Sequence, residues 1–196
     1  MNEVFIIVAG WIIQDGNYPD FRVGENRDFA LQLYGISLKP SKMRLKSAQY
    51  LNRGNYQICG EIIYCKKDTV VIDFGFLAYQ YDVGEKHLPD WVQSHNLKKG
   101  DWVEGEISLG IDPFFYFYFL IKRRNIPKLT YSFLIKQVFL DTSPLVLAGE
   151  CYVSDKSRES FQEREKTDAW KDSAGGIESP MPFTPTYLFK CIFLEK

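Results

Sequence analysis

The stretch Trp102-Val-Glu-Gly-Glu-Ile-Ser-Leu-Gly-Ile111 decides the fold. Val103, Ile107 and Leu109 fall on one side, and Trp102, Glu104, Glu106 and Ser108 on the other. This is the period-two pattern of a strand with one face on a core and one toward water. The same reading repeats outward from it. Tyr56–Cys65 and Thr69–Tyr81 read as two strands joined by Lys66-Lys67-Asp68, a hairpin-length connection. Asp28–Tyr34 alternates, with Phe29, Leu31 and Leu33 on one side. Glu3–Ile13 is continuously apolar, as a strand buried on both faces is. Phe114–Arg123, Leu129–Leu140, Leu145–Val153 and Thr186–Leu194 complete a set of about nine strands.

Composition agrees with a β protein. The 196 residues are 45% hydrophobic and include 15 Phe, 12 Tyr and 4 Trp against 7 Ala. Aromatics favour strands and Ala is the best helix former. Disordered, collagen-like and coiled-coil chains are excluded. The expected fold class is therefore all-β with minor helix, an OB-like barrel or a β-sandwich, in a single β-rich domain over residues 1–196. Helix is expected over His87–His95, after the loop at Gly84. Gln14–Arg27, rich in Gly, Asn, Asp and Pro, reads as a loop. A polar insertion over 155–185 decorates the barrel or sandwich: Ser157–Trp170 as a solvated helix or a mobile excursion, Ser173–Pro185 as a loop. Phe133–Asp141 and Tyr187–Glu195 match in character along nine positions and form a weak internal repeat.

Residues 55–112 carry a resemblance. Gly60-Glu-Ile stands at a first strand and Val70-Val-Ile-Asp-Phe-Gly75 at a second. A short helical stretch around His87–His95 follows, then Leu97-Lys-Lys-Gly-Asp-Trp-Val103 leading into a strand that ends Gly110-Ile-Asp112. In this order the segment resembles an OB-type barrel, in particular the RNA-binding barrel domain repeated in a large ribosomal small-subunit protein. The resemblance implies a five-stranded barrel with a nucleic-acid face on its second and third strands. That face is basic and aromatic in the family, whereas residues 61–112 hold ten acids and five bases.

Catalytic signatures are missing. There is no Gly-x-Ser-x-Gly elbow, no phosphate-binding loop, no HExxH and no Cys-x-x-Cys pair. The two histidines, His87 and His95, lie eight apart and away from any cysteine in the chain. The expectation is a non-enzymatic protein with no metal and no cofactor. Asp73, inside an apolar strand, is the carboxylate that most resembles a functional acid, because an isolated buried carboxylate is costly. Cys59, Cys65, Cys151 and Cys191 read as reduced thiols and place the protein in the cytoplasm. The run Val4–Ile13 lacks the basic start and cleavage site of a signal peptide, and no membrane partner is expected.

Two surfaces emerge as candidates for binding. Trp102, Glu104 and Glu106 share a strand face, with Glu61 on a neighbouring strand, and form an acidic, aromatic face suited to a basic protein. A β-rich chain of this kind, without catalytic motifs, is similar in type to the antidote half of a bacterial toxin–immunity pair, which would block a basic partner by occlusion. The alternative is single-stranded nucleic acid. Residues 29–60 and 113–140 each carry five basic residues and no acid. Within them Lys42, Arg44, Lys122, Arg123 and Arg124 would contact phosphates, beside the aromatics of Phe114–Phe119. The charge blocks either form separate faces or interleave in space.

Overall fold

The computed structural model of the chain describes residues 3–81, 87–148, 151–155, 157–174 and 184–194. They form an all-β protein with minor helix. In chain order the elements are β1 (Glu3–Ala9), α1 (Trp11–Gln14), β2 (Asn26–Pro40), β3 (Ser47–Asn52), β4 (Asn55–Lys66), β5 (Thr69–Asp73), β6 (Leu77–Tyr81), α2 (Asp90–Ser94) and β7 (Trp102–Ile111). A π-helical turn follows at Tyr116–Leu120, then β8 (Thr130–Asp141), β9 (Leu145–Ala148), β10 (Cys151–Ser154), β11 (Phe161–Arg164), α3 (Ala169–Ala174) and β12 (Thr186–Leu194).

Ten strands join one sheet that closes on itself, and β9 and β10 pair separately. The pairings make two closed circuits that share β2 and β7. One runs β7–β4–β5–β6–β2 and the other β2–β8–β12–β1–β7. Each circuit has four antiparallel contacts and one parallel bridge, Gln32↔Tyr79 in the first and Ile7↔Gly110 in the second. The two long shared strands make this possible. β8 takes the Asn26–Ala30 edge of β2 and leaves Gln32 to β6, while β4 takes Trp102–Ser108 of β7 and leaves Gly110 to β1.

The first circuit has OB-type connectivity. β4, β5 and β6 form the meander, α2 follows the third strand, and β7 closes antiparallel on β4. The fifth position, parallel to the third strand, is filled by β2, which precedes the segment in the chain. β2 and β7 meet across a bulge between Tyr34 and Ser37. Just past this bulge Gly105, paired with Leu38, takes φ +145, and a Cβ there would stand 2.1 Å from the Ser37 carbonyl oxygen, so only glycine fits.

Burial follows the strand period. Val103, Ile107 and Leu109 are buried and Glu106 is exposed. One apolar cluster takes inward residues of both circuits, including Val4, Ile6, Phe29, Ile58, Ile72, Leu109, Phe133 and Phe189. Phe29 stacks on Phe133 with ring centroids 4.3 Å apart. Full burial of each such side chain contributes about 1.5–3 kcal/mol. β5 is buried on both faces: Val70 and Ile72 enter this cluster, and Val71 joins Tyr64, Tyr79, Tyr116 and Leu120 in a second one.

Several sequence expectations are corrected. Phe114–Arg123 is no strand: Pro113 and the left-handed Phe114 (φ +73) break the chain after β7, and the amide of Tyr116 bonds to the Asp112 side chain, which starts a π-helical turn. Glu3–Ile13 ends as a strand at Ala9, where the N–H of Gly10 donates to the Pro185 carbonyl at 2.7 Å and α1 begins. Thr69–Tyr81 is divided at Phe74-Gly75-Phe76, where Gly75 takes φ +114. Leu145–Val153 is likewise divided into β9 and β10.

Two strands were absent from the sequence reading: β3, and β11 within the polar insertion, where a helix or an excursion was expected. β11 pairs with β8 at the sheet edge and its Arg164 ion-pairs with Asp172 of α3. The described strands therefore number twelve where about nine were expected. Gln14 of α1 donates to Ala169 and Ser173 of α3, and Thr167 is buried between Phe21 and Asp20. The expected loop Ser173–Pro185 lies outside the described residues over 175–183. The repeat segment Phe133–Asp141 falls in β8 and Tyr187–Leu194 of the other falls in β12, its antiparallel neighbour, with Glu195 outside the described residues.

Candidate functional site

His87 and His95 are exposed, and among the described residues no group of three or more His, Cys, Asp or Glu side chains could hold a metal ion. Cys59, Cys65 and Cys191 are free thiols. Burial raises the thiol pKa of Cys65 and of Cys191, opposite to the activation a nucleophilic thiolate needs. No helix among the described residues is long and apolar enough to cross a membrane.

The acidic face is assembled by register. β5, β4 and β7 lie side by side, and Asp73, Glu61 and Trp102 form one row across them. Further along β7, Glu104 stands opposite Cys59 and Glu106 opposite Gln57. Trp102, Glu104, Glu106 and Glu61 thus share one outer surface, with Trp102 and Glu61 half-buried and Glu106 exposed.

This surface is crossed by the end of β2, where Lys39 pairs with Glu104 of β7, and by the basic connection from β2 to β3. Lys39 lies 3.6 Å from Glu104, the Ser41 hydroxyl donates to Glu104 at 2.6 Å, and Lys46 pairs with Asp73 at 2.7 Å. Cys59 is buried beneath Ser41 and Met43. The acid-free block and the acidic block therefore interleave here, and the acids fall into two classes. Glu104 and Asp73 are engaged by lysines of the same chain, whereas Glu106 has no ion pair among the described residues.

The basic candidates divide in the same way. Arg123 is tied down: it donates through both terminal nitrogens to Asp68, donates to Thr69 at 2.8 Å, and lies 5.3 Å over the Tyr81 ring. Burial pushes the Asp68 carboxyl up, but the hydrogen bonds from Arg123 and Thr69 and the Arg123 charge outweigh it and hold the pKa low. Lys122 and Arg124 are exposed. Beside them Tyr118, Phe119 and Ile121 are 59%, 52% and 50% exposed. Lys42 and Arg44 are exposed on the other connection, with Met43 and Leu45 between and beyond them.

The outer face of β5 and β6, which the OB resemblance marks for nucleic acid, is covered by the chain itself. Tyr116 and Leu120 of the π-helical turn pack there against Val71 and Tyr79.

Two features escaped the sequence reading. Asp112 is fully buried at the end of β7. Desolvation drives its pKa to about 6, against the hydrogen bonds from Tyr79 and from the amides of Tyr116 and Phe115. The pairing of Asp with Pro113 at a strand end was the available signal. The second is a cleft of about 430 Å³ between the start of β3, the Phe74-Gly75-Phe76 turn, Tyr131 and Phe193. Gly75 inside an apparent strand was its signal.

The fold and its surfaces define an all-β protein with an OB-like circuit. Comparison with protein-family models, with curated proteins and with solved structures finds no match.

Proposed function

We propose that the protein is a non-enzymatic binding module that holds a basic protein partner on the outer face of β5, β4 and β7. The row Asp73, Glu61 and Trp102, in register across three strands, carries this reading. Carboxylates in a row steer a basic surface toward the face, and a half-buried indole among them gives an anchor that dissociates slowly. The mode of action is occlusion, of the kind an immunity protein exerts on a toxin, with acids taking the place of the phosphates in a nuclease-like cleft. Lys39 and Lys46 define what the partner must do: its own cations replace theirs at Glu104 and Asp73.

Affinity capture from the native host tests this, run in parallel with wild type and with a Glu61→Lys, Glu106→Lys variant whose fold is checked by circular dichroism. A basic protein retained by wild type, released by moderate salt and lost from the folded variant is the expected result. The same proteins retained by both would overturn the reading.

One observation favours a second reading. Tyr118 and Phe119 are exposed next to the exposed Lys122 and Arg124, an arrangement on which single-stranded bases stack while phosphates meet cations. Anisotropy titration with an unstructured RNA at low salt decides it, and absence of binding there removes it.

A further inference from the structure

The cleft at the Phe74-Gly75-Phe76 turn has walls of one chemistry and a mouth of another. Its walls are aromatic: Tyr131 meets Phe193 edge to face at 5.4 Å and Phe76 packs on Phe193 at 5.3 Å. The Tyr131 hydroxyl accepts the N–H of Leu77 at 2.6 Å, which fixes the ring. The charged residue of the lining is Lys46, and the Asp73 carboxylate stands just outside the lining, held by two residues that belong to it. Its Oδ1 accepts the Gly75 N–H at 3.2 Å, and its Oδ2 accepts Lys46 Nζ at 2.7 Å. Glu61 lies directly across the strand pair from Asp73. Two carboxylates and one ammonium leave this mouth negative, so an anionic ligand is disfavoured.

We infer that the cleft seats one cationic side chain of the partner, an ammonium or guanidinium on an alkyl stem, and that Lys46 holds its place at Asp73 in the free protein. The inference rests on the proposed basic-partner face and names what that partner inserts. Aromatic walls suit both parts of such a side chain: the stem buries against the rings and the charge is attracted by their faces. Lys46 is the available stand-in. It is exposed, and its pKa is pushed above the ordinary lysine value, chiefly by its hydrogen bond to Asp73, with the charges of Asp73 and Glu61 adding to the effect. The partner's cation exchanges with Lys46 at the same carboxylate, so the net number of ion pairs is conserved and selectivity comes from the rings.

Two small probes test the cleft without the partner: N-acetyl-lysine N-methylamide and its uncharged norleucine counterpart, titrated into the whole chain and followed by NMR at the Gly75 amide and the Tyr131 ring. The lysine probe is expected to shift both signals and to bind roughly fivefold tighter than the norleucine probe. Lys46→Met should raise its affinity several-fold, because a tethered competitor is gone, whereas Lys39→Met, beside Glu104, should change nothing. Asp73→Asn should reduce the preference for charge to what the rings alone supply. Lys46 is exposed, so its variant keeps the test decisive should Asp73→Asn fail to fold. Equal binding of the two probes, no shift at millimolar probe, or no gain in Lys46→Met would overturn the inference. Loss of partner capture in Glu61→Lys, Glu106→Lys alongside silent probes would overturn the cleft and leave the face standing. Probe binding with unaltered capture would overturn the face and leave a cation site.

Discussion

Tyr79 of β6 donates its hydroxyl to the buried carboxylate of Asp112 at the end of β7, and the other oxygen of that carboxylate accepts the N–H of Tyr116. One side chain thereby ties the OB-like circuit to the π-helical turn that covers it. Tyr18 donates to the Asp112 carbonyl at 3.0 Å, and the single Tyr34 hydroxyl proton is shared between Gln32 Oε1 at 2.8 Å and the Ile111 carbonyl at 3.2 Å. Burial, with the Asp112 charge second, pushes the pKa values of Tyr18, Tyr34 and Tyr79 up, so all three remain donors at neutral pH. No cation is paired with Asp112 among the described residues.

The uncompensated carboxylate makes stability depend on pH. The pKa of Asp112 is raised from 3.8 to about 6 in the folded protein, so between these values the folded state binds the extra proton. Its contribution is greatest below pH 4 and is lost as pH rises through 6, a change on the order of 3 kcal/mol. Asp112→Asn cannot ionise. Urea unfolding at pH 4 and pH 7 should therefore show a gap between wild type and Asp112→Asn that moves in favour of the variant as pH rises. A gap independent of pH would mean that Asp112 is ionised or solvated at both.

Adjacent arginines should behave differently. Arg123 fills a bidentate site on Asp68 and Thr69, whereas Arg124 is exposed. Arg123→Ala leaves a largely buried Asp68 without its partner and should cost about 1–3 kcal/mol. Arg124→Ala should stay within about 0.5 kcal/mol. If RNA binds, Arg124→Ala alone should reduce the salt dependence, by about one phosphate contact. Chemical denaturation and salt titration of the two single variants separate these roles.

The acids of β7 divide likewise. Glu104 accepts from Ser41 and faces Lys39, and Glu106 is exposed on the same strand. Glu106→Lys should change stability by no more than about 0.5 kcal/mol. Glu104→Lys loses the Ser41 hydrogen bond and sets two ammonium groups together, and should cost about 1–2 kcal/mol. Thermal unfolding of both variants would show this order. Large losses in both variants would mean that the strand faces are exchanged, as a one-residue slip of register buries both acids together.

The sequence is most legible where one face of a strand is wet. Trp102–Ile111 reads correctly to the residue because Glu104 and Glu106 alternate with Val103 and Ile107. The acidic site follows from the same alternation, with Glu61 brought in by pairing. β3 and β11 defeat the pattern from the other direction. Ser47–Asn52 is an edge strand with no buried residue, and Phe161–Arg164 has only its ends half-buried, so neither shows an apolar period. Ser41 and Lys46 on the acidic face give no signal because a connection without periodicity does not show where it crosses, and Lys39 gives none because β2 runs past Tyr34, where the alternation stops, to Pro40. Asp112 looked like a strand-end acid, because burial by Tyr18, Tyr34 and Tyr79 comes from three separate parts of the chain.

The aromatic run is where a strand reading and the structure make opposite predictions. In a strand, Tyr116, Tyr118 and Leu120 would share one side and be buried or exposed together. In the helical turn, Tyr116 and Leu120 lie one turn apart and both are buried, while Tyr118 between them is 59% exposed. Leu120 packs with Val71, Tyr79 and Leu129 on the outer face of β5 and β6. Leu120→Ala should leave a cavity there and cost about 2–5 kcal/mol. Tyr118→Ala removes a ring that touches Phe114 and Phe119 near the surface and should cost less than about 1 kcal/mol. Urea midpoints of the two variants give the comparison directly. Similar losses in both would restore a strand. A large loss in Leu120→Ala with little in Tyr118→Ala would establish the turn that covers the outer face of the second and third strands of the OB-like circuit while Tyr118 and Phe119 stay exposed.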